Sequence, residues 1–135
     1  MSVSLTNPDD PIPGFRFFEQ PEPRASGTAI VANMPTCIRS KQKLLRILAI
    51  QLQFPAYFGN NWDALEECLR DLSWLPANEI EIRHLDLPLS PGSQDQRTYL
   101  HILLSAAAFW AKEGERRFEA VFPAAFQAEV RSIRA

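Results

Sequence analysis

The sequence predicts a small α/β domain, and three observations support that fold class. The chain has 135 residues, of which 46% are hydrophobic, which is enough for one domain with a buried core. Its periodic segments follow the order strand, helix, helix, strand, helix, strand, helix. Strands that alternate with helices favour parallel pairing through crossover connections. We therefore expect one parallel sheet with helices packed on it.

The N-terminal part is expected to precede the main domain. Residues 1–13 hold three prolines and two aspartates, which is typical of a loose tail. The aromatic segment 14–18 fits either a short strand or a strap over the domain, and residues 19–27 are typical of a loop. The apolar run 28–33 then predicts the first buried strand.

Residues 41–54 predict the first helix, because leucines recur along one side of it. Ser40 is suited to be its N-cap, and Pro55 is expected to end it. Ile47 and Ile50 widen its apolar face, so we expect something besides the main core to cover it. The N-terminal aromatic residues are one candidate for that cover.

A second helix is predicted from Trp62 to about Ser73, with Asn61 as its N-cap and residues 75–76, Leu-Pro, as its stop. Residues 79–83 alternate between isoleucine and charged side chains. This alternation predicts a strand that is covered mainly on one face.

The C-terminal third predicts three more elements. A strongly apolar helix runs from Asp95 or Gln96 to Glu113, with Gly114 as its C-cap. Residues 117–122 predict a strand that Pro123 stops. Residues 124–134 place apolar side chains on one stripe and predict a final docked helix.

Overall charge and composition exclude several classes of protein. The net charge of −2 points to no class of partner, and two cysteines, Cys37 and Cys68, do not make a disulfide framework. We expect free thiols and a cytoplasmic location, because no secretory signal and no run of roughly 20 apolar residues is seen. Charge is nevertheless uneven: residues 57–82 hold six acids and one base, whereas residues 39–46 hold four bases and no acid.

The second helix is unusually acidic. Asp63, Glu66 and Glu67, with Asp71 one turn beyond, fall on one stripe beside the apolar side. Like charges at this spacing repel by a few tenths of a kcal/mol per pair. Two interpretations are open: a solvated face, or a face kept for a basic partner. In the preceding loop, Gly59 either allows a close approach of that partner or only a positive φ.

The stretch FPAYFGNNWDALEECL, residues 54–69, resembles the signature of the barstar family, the intracellular protein inhibitors of secreted microbial ribonucleases. The shared pattern is a helix ending in an apolar residue and proline, two aromatics, glycine, a polar residue, asparagine, a bulky residue, Asp-Ala-Leu, and an acid before Cys-Leu. More loosely, the resemblance covers residues 28–122. Residues 1–27 then form an N-terminal extension and residues 123–135 a C-terminal helical extension.

The resemblance implies a parallel three-stranded sheet and an acidic helix that plugs a ribonuclease active site together with the loop before it. Asp63 and Glu67 would meet the catalytic cations of the enzyme. The residues that the resemblance assigns to the inhibitor surface are Tyr57, Gly59, Asn61, Trp62, Asp63, Glu66 and Glu67. The implied partner is a basic extracellular-type ribonuclease or nuclease toxin, against which the chain provides immunity. No cofactor, metal, membrane or direct nucleic-acid contact is expected.

Three positions depart from the founding member of that family. Glu67 stands where it has the shorter aspartate, Glu66 where it has tryptophan, and Phe109 where it has an acid on its last long helix. The charge, reach and aromatic content of the surface therefore differ. These departures imply a different partner enzyme.

The same residues are compatible with other functions. The acidic helix would equally serve a regulatory or adaptor module that binds a basic protein other than a nuclease. Asp63 and Glu67 would serve as a general acid–base pair only beside a deep pocket. The histidines lack neighbouring metal ligands, so we expect His101 to be a half-buried packing residue. Cys68 is expected to be structural, because nearby carboxylates disfavour a thiolate.

Overall fold

The computed structural model describes residues 12–19, 29–56 and 58–134. Within these residues four strands form one sheet: β1 (Phe15–Phe18), β2 (Ile30–Met34), β3 (Glu79–His84) and β4 (Arg117–Pro123). Their spatial order is β1-β4-β3-β2, and all three pairings are parallel, which confirms the predicted α/β class. The predicted tail, apart from its last two residues, and most of the 19–27 loop lie outside the described residues.

The prediction of three strands is wrong, because the N-terminal segment supplies a fourth. β1 lies beside β4, with Phe15 opposite Ala120. Gly14, at φ +79°, allows this approach: a Cβ there would lie 2.6 Å from the Cβ of Ala107. The backbone N–H of Ala120 donates to the Gly14 carbonyl at 2.7 Å. Segment 14–18 is therefore a strand, and not a strap.

The aromatic side chains of β1 do not cover the first helix. Phe15 and Phe17 pack on Phe122 of β4, with ring centroids 6.1 and 6.4 Å away. The first helix contacts β2, at the opposite edge of the sheet. Ile50 therefore remains 69% exposed, contrary to the expectation of an aromatic cover.

Four α-helices occur in the described residues: α1 (Lys41–Gln51), α2 (Trp62–Leu69), α3 (Gln94–Glu113) and α4 (Gln127–Arg131). The first two end earlier than predicted. Gln53 and Leu72 take left-handed backbone conformations, at φ +56° and +53°, which a right-handed helix does not continue. None of the described helices combines the length and hydropathy that crossing a membrane requires.

The C-terminal end of α3 agrees with the prediction, whereas the last segment of the protein differs from it. Gly114 caps α3 at φ +73°, as predicted. The predicted helix 124–134 is instead a 3₁₀ turn (Ala124–Phe126), α4, and a second 3₁₀ turn (Ser132–Arg134). Val130 and Ile133 are nevertheless buried in the core, so the segment docks as expected.

One face of the sheet packs against the helices and forms the core. Successive strand residues point to opposite faces, so alternate residues of each strand enter this core. The hydrophobic ones are Phe15, Phe17, Ile30, Ala32, Met34, Ile80, Ile82, Phe118, Ala120 and Phe122.

The opposite face carries the sheet-face network, defined here as Arg16, Glu81, Arg83, Arg117 and Glu119. Glu81 accepts from Arg16 at 3.1 Å and from Arg83 at 2.7 Å. Glu119 lies 3.3 Å from Arg16 and 3.7 Å from Arg117. Glu81 is only 5% exposed, although its strand was predicted to be covered mainly on the other face. The difference arises because β1, which the sequence left open as a strand or a strap, brings Arg16 alongside.

Candidate partner-binding site

The loop between α1 and α2 is anchored by a cluster of aromatic rings. Phe54 meets Phe58 edge-on at 4.8 Å and Trp74 at 5.9 Å. The indole N–H of Trp74 donates to the Leu52 carbonyl at 2.9 Å, which ties the cluster to the end of α1. These contacts fix where the loop leaves α1. Tyr57, which was assigned to the inhibitor surface, lies outside the described residues.

Asn61 fixes the start of α2, as predicted. Its Oδ1 accepts from the backbone N–H of Ala64 at 2.7 Å, and its Nδ2 donates to the Gly59 carbonyl at 3.4 Å. The left-handed residue of this turn is Asn60, at φ +55°, so Gly59 is not needed for a positive φ. A Cβ on Gly59 would instead lie 3.1 Å from the Asn61 side-chain nitrogen, so the glycine leaves room for the cap.

The acidic stripe, defined here as Asp63, Glu66 and Glu67, lies on the surface of α2. Asp63 and Glu67 are exposed, and Glu66 is half-buried. None of the three carboxylates forms an ion pair or hydrogen bond with any residue that the structure describes. The stripe therefore combines like charges at helical spacing, and none of them is ion-paired with a cation of the described chain.

Trp62, which was assigned to the inhibitor surface, is half-buried at the start of α2. Its ring stacks on buried Tyr99 of α3 at 6.4 Å, and the Lys41 Nζ lies 5.5 Å from its centroid. The first residue of α2 is thus held between a basic side chain of α1 and the core.

A buried series of hydrogen bonds connects Tyr99 to the sheet. The Tyr99 hydroxyl donates to His84 Nε2 at 2.7 Å, and His84 Nδ1 donates to the Val121 carbonyl at 2.9 Å. This pattern requires neutral histidine, because one ring nitrogen must accept. Burial lowers the pKa of His84 to about 4 and raises that of Tyr99. These hydrogen bonds could not be predicted from the sequence, since the residues that form them lie on separate elements with no shared periodicity.

A groove of about 330 Å³ adjoins the acidic stripe between α2 and α3. Its lining residues are Glu67, Cys68, Arg70, Asp71 and Phe109. The structure therefore places Phe109, one of the positions that depart from the family pattern, beside Glu67.

The remaining sequence candidates have structural explanations. Cys68 is buried, and its burial raises the pKa of its thiol. The negative charges of Asp71 and Glu67 raise this pKa further, as expected for an unreactive cysteine. His101 is exposed, so the prediction of a half-buried packing residue is wrong. Its position on α3 lies outside the apolar side of that helix. Among the described residues, no three His, Cys, Asp or Glu side chains are grouped as metal ligands.

Comparison with known proteins supplies one match. A protein-family model described as Barstar (barnase inhibitor) matches residues 30–122. This span contains β2, β3, all of β4 except Pro123, the capped loop, the acidic stripe and the groove. No curated protein and no solved structure matches the chain significantly.

Proposed function

The chain belongs to the barstar family, and from that premise we propose that it is a cytoplasmic inhibitor of a ribonuclease or related basic nuclease. The inhibitor protects the cell against a toxin made by the same cell or by a neighbour. The family is one of inhibitors and not of enzymes, and it implies a ribonuclease as the binding partner. The ribonuclease–inhibitor pair from which this family takes its name is itself a known case of electrostatic steering and of binding hot spots, so the loss of affinity expected below is taken from that pair by analogy.

The observation that carries the proposal is the unpaired acidic stripe. Carboxylates on a helix often form an ion pair with a cation three or four residues away. These three carboxylates have no such partner among the described residues. Asp63 and Glu67 are one turn apart, so their Cβ atoms are separated by about 6 Å. Two cations in a cleft that binds successive phosphates would match this spacing, because carboxylate and phosphate oxygens form similar charge-assisted hydrogen bonds.

Inhibition then requires no covalent step. The acidic stripe occupies the phosphate-binding positions of the enzyme, and the loop before α2 excludes substrate from the cleft. The Asn61 cap and the Trp62–Tyr99 stack support this mechanism, since a binding surface that is already ordered loses less entropy on association. Gly59, Asn61, Trp62 and the undescribed Tyr57 contribute the rest of the proposed surface.

The test is affinity capture followed by an activity assay. The tagged wild type and the double variant Asp63→Asn/Glu67→Gln are exposed to lysate and secreted proteins of the source organism, and each retained protein is assayed for RNA cleavage. The matched control is Asp95→Asn/Glu113→Gln. Asp95 is likewise the second residue of a capped helix, and both control acids are exposed.

We expect the wild type and the control to retain and silence a basic ribonuclease, and the double variant to bind it roughly a hundredfold or more weakly. Retention of a basic partner without nuclease activity would instead support the regulatory or adaptor alternative. Equal binding by all three proteins would show that the acidic stripe is an ordinary solvated face.

A further inference from the structure

Helix α2 depends on the rest of the fold for its shape. It has eight residues, and an isolated helix of that length is not stable in water. Repulsion along the acidic stripe weakens it further. The Asn61 cap holds its first turn, but the last carbonyl groups of a helix also need donors from outside the helix. The contacts at its C-terminal end therefore decide how firmly the last turn is held.

Two side chains from the region where α3 leads into β4 supply those donors. The indole N–H of Trp110 donates at 2.7 Å to the carbonyl of Leu69, the last residue of α2. Arg116 donates from Nη1 to the Leu72 carbonyl at 2.7 Å and from Nη2 to the Leu75 carbonyl at 3.0 Å. Its guanidinium also lies over the Trp110 ring, 5.9 Å from the centroid. One arginine therefore bridges two carbonyl groups of the turn that follows α2.

The turn that follows α2 has a backbone conformation that needs outside support. Leu72 lies there in the left-handed region, at φ +53°, which costs free energy for a residue other than glycine. Its side chain is fully buried, and its carbonyl accepts from Arg116. Such a conformation persists only where the surrounding contacts maintain it. Arg116 therefore helps to fix where α2 ends and how its last turn, which carries Glu66 and Glu67, is oriented.

We propose that Arg116 is a positioning residue for partner binding. It acts through the backbone of α2, because its contacts hold the end of the helix from which Glu67 projects. Asp63 lies at the other end, where the Asn61 cap holds the first turn, so its position does not depend on Arg116. Lysine is a poorer substitute, because its ammonium lacks the planar fork of donors that bonds both carbonyls in a fixed geometry. The identity of the partner rests on the proposed function, whereas the hold of Arg116 on α2 does not.

The first test follows backbone amide hydrogen exchange by NMR in the full chain, with no partner present. The variant is Arg116→Lys, and the matched control is Arg117→Lys, which changes the neighbouring arginine of the sheet-face network. In Arg116→Lys we expect the amides of Arg70 and Leu72, which donate to carbonyls of α2, to exchange roughly tenfold faster. The Ala64 amide, which is bonded to the helix cap, keeps its rate in both variants. Equal acceleration at both ends of α2, or unchanged rates at its last turn, would overturn the proposal.

The second test measures affinity for the ribonuclease that the wild type retains in the capture experiment. We expect Arg116→Lys to weaken binding roughly tenfold in the wild-type background and in Asp63→Asn, but hardly at all in Glu67→Gln, because it acts by displacing Glu67. No loss in the wild-type background, or the same loss in all three backgrounds, would refute the positioning role. The exchange experiment needs no nuclease. A chain that captures no nuclease but exchanges faster only at the end of α2 would reject the proposed function and leave the hold of Arg116 on α2 intact.

Discussion

The two charged surfaces of this protein are built in opposite ways. In the sheet-face network, Glu81 lies within 3.1 Å of arginines from two strands, and Glu119 also has arginine neighbours. In the acidic stripe, no described residue pairs with Asp63, Glu66 or Glu67. The fold itself pairs the acids of the first surface with arginines and leaves the acids of the second without an ion pair among the described residues.

The difference follows from burial. A carboxylate as buried as Glu81 would destabilise the fold by several kcal/mol without a partner, so its arginines are required by the fold. Repulsion along an exposed helix amounts to only a few tenths of a kcal/mol per pair, which a stable domain tolerates. Stability therefore explains the sheet-face network, but it does not explain the acidic stripe.

The largest effect is expected for Glu81→Gln. The amide keeps the shape of the side chain but removes the charge that Arg16 and Arg83 share, so we expect a loss of about 2–3 kcal/mol in the free energy of unfolding. The loss is not larger because Arg16 is partly exposed, and water screens its pairing with Glu81. Urea denaturation of the variant and the wild type measures it. A loss below about 0.5 kcal/mol would mean that the paired surface is no more structural than the stripe.

The second-largest expected effect is a pH dependence of stability caused by His84. This side chain is buried, and both of its ring nitrogens form hydrogen bonds with neutral groups. An unfolded histidine takes up a proton near pH 6.5, whereas His84 does so near pH 4. Between these values the unfolded state binds more protons, so this contribution to stability is complete above pH 6.5 and falls as the pH drops. We expect a loss of about 2 kcal/mol between pH 7 and pH 5.

Urea denaturation at pH 7, 6 and 5 measures this loss, and the two histidines supply the control. His101→Gln changes an exposed residue and should keep the pH dependence, whereas His84→Gln should remove it at the expense of overall stability. A pH dependence that disappears with His101→Gln would contradict the assignment to His84.

Sequence reasoning succeeded where the signals are local. The caps Ser40, Asn61 and Gly114 were predicted correctly, because a cap bonds to backbone only three or four residues away. Helix α2 was predicted for the same reason, together with its acidic stripe. Its early end was missed, since the left-handed Leu72 gives no signal in composition.

Contacts between distant segments could not be predicted in this way. The pairing of β1 with β4 joins Arg16 to Glu119, 103 positions apart, and no local period encodes such a partner. The same limit applies to the candidate site. Helical spacing predicts which acids share a face, but not that Tyr99 stacks on Trp62 or that Phe109 and Glu67 line one groove.

The smallest expected effect belongs to the stripe itself. In Asp63→Asn/Glu67→Gln, removing the repulsion between two carboxylates stabilises α2, while losing an anion in its first turn destabilises it by a similar few tenths of a kcal/mol. We expect the free energy of unfolding to stay within about 0.5 kcal/mol of the wild type. Urea denaturation beside Asp95→Asn/Glu113→Gln measures this. A much larger loss would reveal a structural role for the stripe, and weakened nuclease binding in the same variant would then no longer distinguish lost contacts from a damaged fold.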